Sequence, residues 1–309
     1  MSVLFARLRR APALSLIALA LLGAGLAACR AESARRVGDS AAVVRDDFGD
    51  AVRFASDERP GRIVSLIPAA TEILFAIGAG PRVVGRTHWD AYPDSARLVP
   101  DMGDGIRPNV EVVLAARPDL VILYASADNR DAARQLRAAS VPTLSLRIDR
   151  IEQFRRATMR IAQVVGDTAR ARLVIDTVAQ SLDRTRRATA SLPHPRVFWK
   201  AWDAPLMAIG GGSYMTELLD IAGARNIYAE LPDPSPQVTI EDVIRRDPDL
   251  VIAGATSARV FRTVPAWQAL RAVREGRIVL VDTTLMAFPS VRLGEAAHVL
   301  ATRLHPELP

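Results

Sequence analysis

One pattern occurs twice in this chain. The stretch Asn109-Val-Glu111-Val-Val-Leu-Ala-Ala-Arg-Pro118-Asp119-Leu-Val-Ile returns, in register, as Thr239-Ile-Glu241-Asp-Val-Ile-Arg-Arg-Asp-Pro248-Asp249-Leu-Val-Ile. Upstream, Thr71-Glu72 and Ile77-Gly78 are echoed by Thr216-Glu217 and Ile221-Ala-Gly223. In each copy an amphipathic helix runs into Pro, which stops it. Asp then makes the turn, and an apolar run enters a buried strand. A chain with this duplication folds as two similar α/β halves.

The rest of the pattern agrees. Ile63–Ile67, Val83–Gly85, Leu120–Tyr124 and Thr143–Leu146 read as strands, with helices over Thr71–Ile77, Val110–Ala116 and Asp128–Ala139 between them. Ala51–Phe54 reads as one short extra strand. Strand-helix alternation predicts parallel sheets covered by helices. From Ile151 to about Ser191 the apolar spacing is helical throughout, with Gly166 its one strong interruption. As a single helix it would run about 60 Å. Strands resume at Val197–Trp199, Leu250–Ile252 and Ile278–Val281. The predicted fold class is α/β: two Rossmann-like lobes with parallel sheets, joined by one long backbone helix, with the ligand cleft between the lobes. Residues 61–150 form the N-terminal lobe, 151–192 the connecting helix and 193–309 the C-terminal lobe.

The N-terminus is an export signal. Arg7, Arg9 and Arg10 precede an apolar run from Ala11 to Ala24, then Leu26-Ala27-Ala28-Cys29. The apolar run falls short of the ~20 residues that span a bilayer. Leu-Ala-Ala-Cys resembles the lipobox of bacterial lipoproteins. That resemblance implies a signal peptide over 1–28, diacylglycerol on Cys29 and a tether over 29–60. The mature protein is then expected outside the cytoplasm, facing the periplasm or the cell exterior and held to a membrane. Cys29 is the only cysteine, so the exported fold is held by burial without disulfides. The net charge is +6, but arginines alternate with acids, as in Arg130-Asp131 and Arg245-Arg246-Asp247. This describes solvated helix faces rather than a nucleic-acid surface.

Signals of catalysis stay incomplete. Gly212-Ser213-Tyr214 lacks the second glycine of a nucleophile elbow. His88, His194, His298 and His305 do not fall at zinc-helix spacing. Gly210-Gly211-Gly212 lacks the Lys-Ser/Thr of a phosphate loop and is expected to allow close backbone approach at a cleft rim.

Arg62-Ile-Val-Ser-Leu-Ile-Pro68-Ala-Ala-Thr71-Glu72, with Gly78, Gly85, Tyr92-Pro93, Asn109-Val-Glu111 and Pro118-Asp119-Leu-Val-Ile, resembles the helical-backbone substrate-binding proteins of ABC importers for cobalamin, ferric siderophores and haem. The resemblance covers about residues 61–309. It implies capture of a metal chelate, cobalamin or a related corrinoid first, with haem or a ferric siderophore as alternatives. It implies delivery to a permease dimer by a monomer, with no catalytic cofactor. A tethered sensor that kept the fold without transport is the other alternative.

By the same resemblance Glu111 and Glu241 are the permease-docking residues, one per lobe, at matching points of the repeat. The positions matching the aromatic lining of the cobalamin-binding members are Trp89, Gly105, Leu206 and Ser235. Tyr92, Trp202, Tyr214 and Phe288 lie near the same loops. His88 is a candidate axial ligand to a bound metal. Arg107 and Arg292 are candidate partners for ligand carboxylates or phosphate.

Overall fold

The computed structural model describes residues 43–54 and 59–308. The signal peptide and Cys29 lie outside the described residues. The first lobe is built from β1 (Ile63–Ser65), α1 (Pro68–Ala76), β2 (Val83–Gly85), α2 (Val110–Ala115), β3 (Leu120–Tyr124), α3 (Asn129–Ala138) and β4 (Thr143–Leu146). Its sheet has the order β2-β1-β3-β4 and is parallel throughout. Leu120, Val121, Ile122 and Leu123 are fully buried. Covered on both faces, β3 must be a continuous apolar run rather than an alternating one.

The connection is helical but is not one helix. α4 (Ile151–Val165) ends at Gly166, whose φ of 92° is left-handed and costs a glycine little. Asp167 then caps a new helix, α5 (Thr168–Thr189), by accepting from the Arg170 amide. α5 turns back along α4, and Glu152, Arg155 and Met159 face Arg172 and Asp176 across a shallow depression. The bridging element is therefore α5 alone, 22 residues or about 33 Å long. Arg170 at its start donates to the Ile77 carbonyl in the first lobe, and Thr189 at its end donates to the Ile221 carbonyl in the second.

The second lobe follows as β5 (Arg196–Trp202), β6 (Met207–Ala208), α6 (Tyr214–Ile221), β7 (Arg225–Asn226), α7 (Ile240–Arg246), β8 (Leu250–Gly254), α8 (Ala258–Thr263), α9 (Arg271–Arg274), β9 (Ile278–Val281), α10 (Thr283–Met286) and α11 (Leu293–Leu304). The strands β5, β7, β8 and β9 are parallel, but β6 pairs antiparallel with the outer end of β5, so this sheet is mixed rather than purely parallel. The repeat is visible in atomic detail. Asp119 accepts the Arg62 amide at 2.9 Å and Asp249 accepts the Arg196 amide at 2.8 Å. The guanidinium of Arg62 caps the Ala116 and Arg117 carbonyls, and that of Arg196 caps those of Arg246 and Asp247. Each Pro-Asp turn thus fixes both the end of a helix and the start of a strand.

Residues 44–54 were expected within a tether. Instead Asp47 accepts the Arg147 amide at 2.7 Å, and Arg130 lies 4.2 Å over the Phe48 ring, so this segment packs on the first lobe. The expected strand Ala51–Phe54 is reduced to one isolated bridge between Arg45 and Ala51.

Candidate functional site

The lobes meet through the upstream part of the repeat. Glu217, on α6, accepts from Arg150 Nε at 2.5 Å and from the Ile151 amide at 2.8 Å, both in the first lobe. Its counterpart Glu72, on α1, accepts from the Ser290 hydroxyl of the second lobe at 2.5 Å. Each repeated glutamate crosses to the other lobe. Burial pushes the Glu72 carboxyl up to about 7, with the Ser290 hydroxyl and Arg292 pulling the other way.

Between these ties a cleft opens at the carboxyl ends of the strands, where open α/β sheets bind ligands. Its main compartment holds about 560 Å3. Trp89, Tyr124, Tyr214 and Phe288 supply its aromatic walls. Its charged lining residues are Asp104, Asp128 and Asp149. Asp104 accepts the Arg107 and Ile106 amides, which hold its carboxyl below the usual range. Asp149 accepts from the Tyr124 hydroxyl at 2.6 Å. Burial, followed by that donation to Asp149, raises the Tyr124 phenol. Asn129, 1 % exposed, donates to the Gly105 and Tyr124 carbonyls and so locks two lining loops together.

On the other side Ser235 reaches the cleft because of Gly210, Gly211 and Gly212. A Cβ at each would lie 2.0, 2.0 and 2.2 Å from the carbonyls of Asp233, Ala229 and Pro232. The three glycines let residues 229–234 lie directly on the chain after β6.

A second compartment of about 530 Å3 shares Trp89, Met215 and Phe288 with the first and continues over the second sheet. Trp199, Lys200 and Trp202 line it, and Trp202 is 65 % exposed.

Of the expected cleft residues, Trp89, Gly105, Tyr214, Ser235 and Phe288 line the main compartment, and Trp202 lines the second. The Tyr214 hydroxyl is turned away, donating to the Met286 carbonyl. Five others sit elsewhere. Leu206, half-buried, packs against a hydrophobic cluster of the second lobe. Arg107 lines an outer hollow beside Glu111. Arg292 is spent on Glu295, at 3.0 and 3.2 Å, and lies 4.7 Å over the Tyr92 ring, which places both outside the cleft lining. His88 is exposed at the mouth, its ring 4.5 Å from that of Trp89. Among the described residues no three His, Cys, Asp or Glu side chains gather as a metal site. Sequence reasoning missed Tyr124, Asp149 and Lys200. Tyr124 was legible as the polar end of the β3 run.

Glu111 and Glu241 are both exposed, each in the first turn of its helix, α2 and α7.

A family model for periplasmic binding proteins matches residues 63–285. A vitamin B12-binding protein of Pectobacterium carotovorum is 26 % identical over 250 residues, 79 % of this chain and 88 % of that protein. The uncharacterized ABC transporter substrate-binding lipoprotein YvrC of Bacillus subtilis is 28 % identical over 306 residues, 96 % of both chains. Among solved structures, a periplasmic heme binding protein from Pseudomonas aeruginosa superposes with a TM-score of 0.73 at 24 % identity, covering 81 % of this chain and 94 % of that one.

Proposed function

The chain belongs to the periplasmic binding protein family, and we propose that it is an extracytoplasmic lipoprotein that captures a corrinoid, cobalamin first, and hands it to an ABC importer. Anchoring through Cys29 accords with the likeness to a lipoprotein along nearly the whole chain. The likeness to a vitamin B12-binding protein, through most of both chains, supports the ligand class. The observation that carries the choice within it is the charge of the main compartment. Its walls are apolar and aromatic, and among the described lining residues the only charges are Asp104, Asp128 and Asp149. Amide groups on a corrinoid rim donate to carboxylates, whereas the propionates of a haem are repelled by them. The macrocycle face lies against Trp89 and Phe288, where aromatic contact adds about 1 kcal/mol beyond burial. Binding and release, rather than turnover, is the activity.

Calorimetry of the lipid-free mature protein with cyanocobalamin, haemin and a ferric hydroxamate tests this. Cyanocobalamin is expected to bind most tightly, and Trp89→Ala to weaken it by about tenfold. Preference for haemin or the ferric hydroxamate moves the ligand to that class. Binding of none of the three leaves the tethered sensor.

A further inference from the structure

Lys200 is the only lysine in the chain. It sits near the carboxyl end of β5, in the wall of the second compartment, with its side chain 1 % exposed. An ammonium carries three N–H donors. Among the described residues Lys200 Nζ makes one hydrogen bond, to Asp203 Oδ1 at 2.5 Å, and lies 5.8 Å from the Phe261 ring centroid. Two donors are left without a protein acceptor, in a place where an unmatched charge is costly. The one partner is unequal: Asp203 lies on the β5–β6 turn with its side chain 47 % exposed. The same compartment is lined by Thr256, Thr283 and the buried Ser257, whose hydroxyls can add donors.

We propose that this compartment is an anion subsite, in which Lys200 receives a phosphate or carboxylate arm of the bound chelate beside or in place of Asp203. The inference rests on the chelate-binding reading above and deepens it. The two compartments are contiguous at Trp89, Met215 and Phe288. A ligand lying across them meets carboxylates on one side and a buried cation on the other. Its anionic arm has one favourable place to go, so the charge pattern sets ligand orientation. Asp203 holds the ammonium while the site is empty. It can turn into solvent when a better-placed anion arrives.

A single lysine makes the test direct. Protein labelled with 15N at the lysine ζ position gives one ammonium signal. Titration with inorganic phosphate and with sodium propionate is expected to shift that signal saturably. A shift with phosphate and with cyanocobalamin, but not with cobinamide, which lacks the phosphodiester, assigns a phosphate arm. A shift with propionate and with haemin, but not with haemin dimethyl ester, assigns a carboxylate arm. Lys200→Met is expected to weaken the anionic probe about tenfold and spare its neutral counterpart. Asp203→Asn, which removes the competing acceptor, is expected to tighten the anionic probe. A signal unmoved by both anions, while cyanocobalamin or haemin still quenches tryptophan fluorescence, overturns the subsite and leaves the chelate reading intact. A saturable shift with anions, in a protein that binds none of these chelates, keeps the subsite and removes the chelate reading.

Discussion

Ser290 donates its hydroxyl to Glu72 Oε2 at 2.5 Å, across 218 residues of sequence and across the junction of the two lobes. Glu217, the repeat equivalent of Glu72, makes the reciprocal crossing to Arg150 and the Ile151 amide. The same repeat position thus serves as a lobe-to-lobe tie in both directions. The two ties differ electrically. Glu217 faces a guanidinium, whereas Glu72 is 6 % exposed and is raised by burial to about 7 from an ordinary 4.5.

The first prediction follows from that difference. Between about pH 4.5 and 7 the folded protein keeps a proton on Glu72 that the unfolded chain has released. Stability from this group is therefore complete below pH 4.5 and is lost as pH rises through 7. Glu72→Gln keeps a neutral hydrogen-bonding group there. Urea unfolding should find variant and wild type alike at pH 5. By pH 8 the variant should be the more stable, by at most about 3 kcal/mol. Parallel stability curves from pH 5 to 8 would show that Glu72 titrates normally.

Much of this architecture is readable in the sequence, for a specific reason. The β3 and β8 runs are buried on both faces, so apolar continuity and the preceding Pro-Asp turn leave little choice of conformation. The connecting segment reads as one helix because helical spacing continues on both sides of Gly166. The stop-and-restart signal is present all the same, a glycine followed by an Asp that caps the next helix. β6 and β7 are two residues each and carry no periodicity. In the site, Trp89, Trp202, Tyr214 and Phe288 are legible as aromatics near the cleft loops, whereas Tyr92 shares that signal and lies outside the lining, and Tyr124 is hidden at the end of a strand. Arg107 and Arg292 are not cleft residues: Arg107 lines the outer hollow beside Glu111, and the Arg292 guanidinium takes the nearest good acceptor. For Arg292 that is Glu295, one helical turn away. Lys200 gives no signal in the sequence because its burial depends on tertiary packing.

Lobe motion is predicted to be small. α5 contacts both lobes along a continuous hydrogen-bonded helix, which resists bending more than paired loop hinges do. The Tyr214 amide also donates to the Asp149 carbonyl at 2.8 Å at the cleft floor. Small-angle scattering with and without saturating cyanocobalamin should give superimposable profiles. A marked fall in radius of gyration on binding would mean that α5 hinges.

The glycine triplet is predicted to be intolerant of any side chain. A Cβ on residue 211 would lie 2.0 Å from the Ala229 carbonyl oxygen, and that backbone cannot swing aside as a side chain can. Gly211→Ala should cost about 1–3 kcal/mol. It should also displace the loop that carries Ser235, weakening cyanocobalamin in calorimetry. Gly276 is the control for backbone effects alone, because a Cβ added there would meet nothing within 4 Å while its φ is positive. If Gly211→Ala costs no more than Gly276→Ala, the close approach is not what the triplet serves.

The last prediction concerns permease docking by Glu111 and Glu241. A carboxylate in a first helical turn can simply complement the helix dipole. Here that need is already met. Asn109 accepts the Glu111 and Val112 amides at 3.1 and 3.2 Å, and Thr239 accepts the Asp242 amide at 3.2 Å. Among the described residues neither glutamate has an ion-pair partner, and both are exposed at matching points of the two halves. These two unspent carboxylates, one per lobe, are each predicted to meet a basic side chain on one subunit of a permease dimer. Pairs of this kind steer association and set orientation more than they add affinity. Either Glu→Ala change should therefore leave both stability and cyanocobalamin binding at wild-type values. Uptake by proteoliposomes holding the cognate permease should fall with each single change, further at high salt as the remaining attraction is screened, and most in the double variant. Wild-type uptake by the double variant would reduce both residues to helix-terminal charges. Lost ligand binding in either single variant would place that glutamate in the folding of its lobe instead.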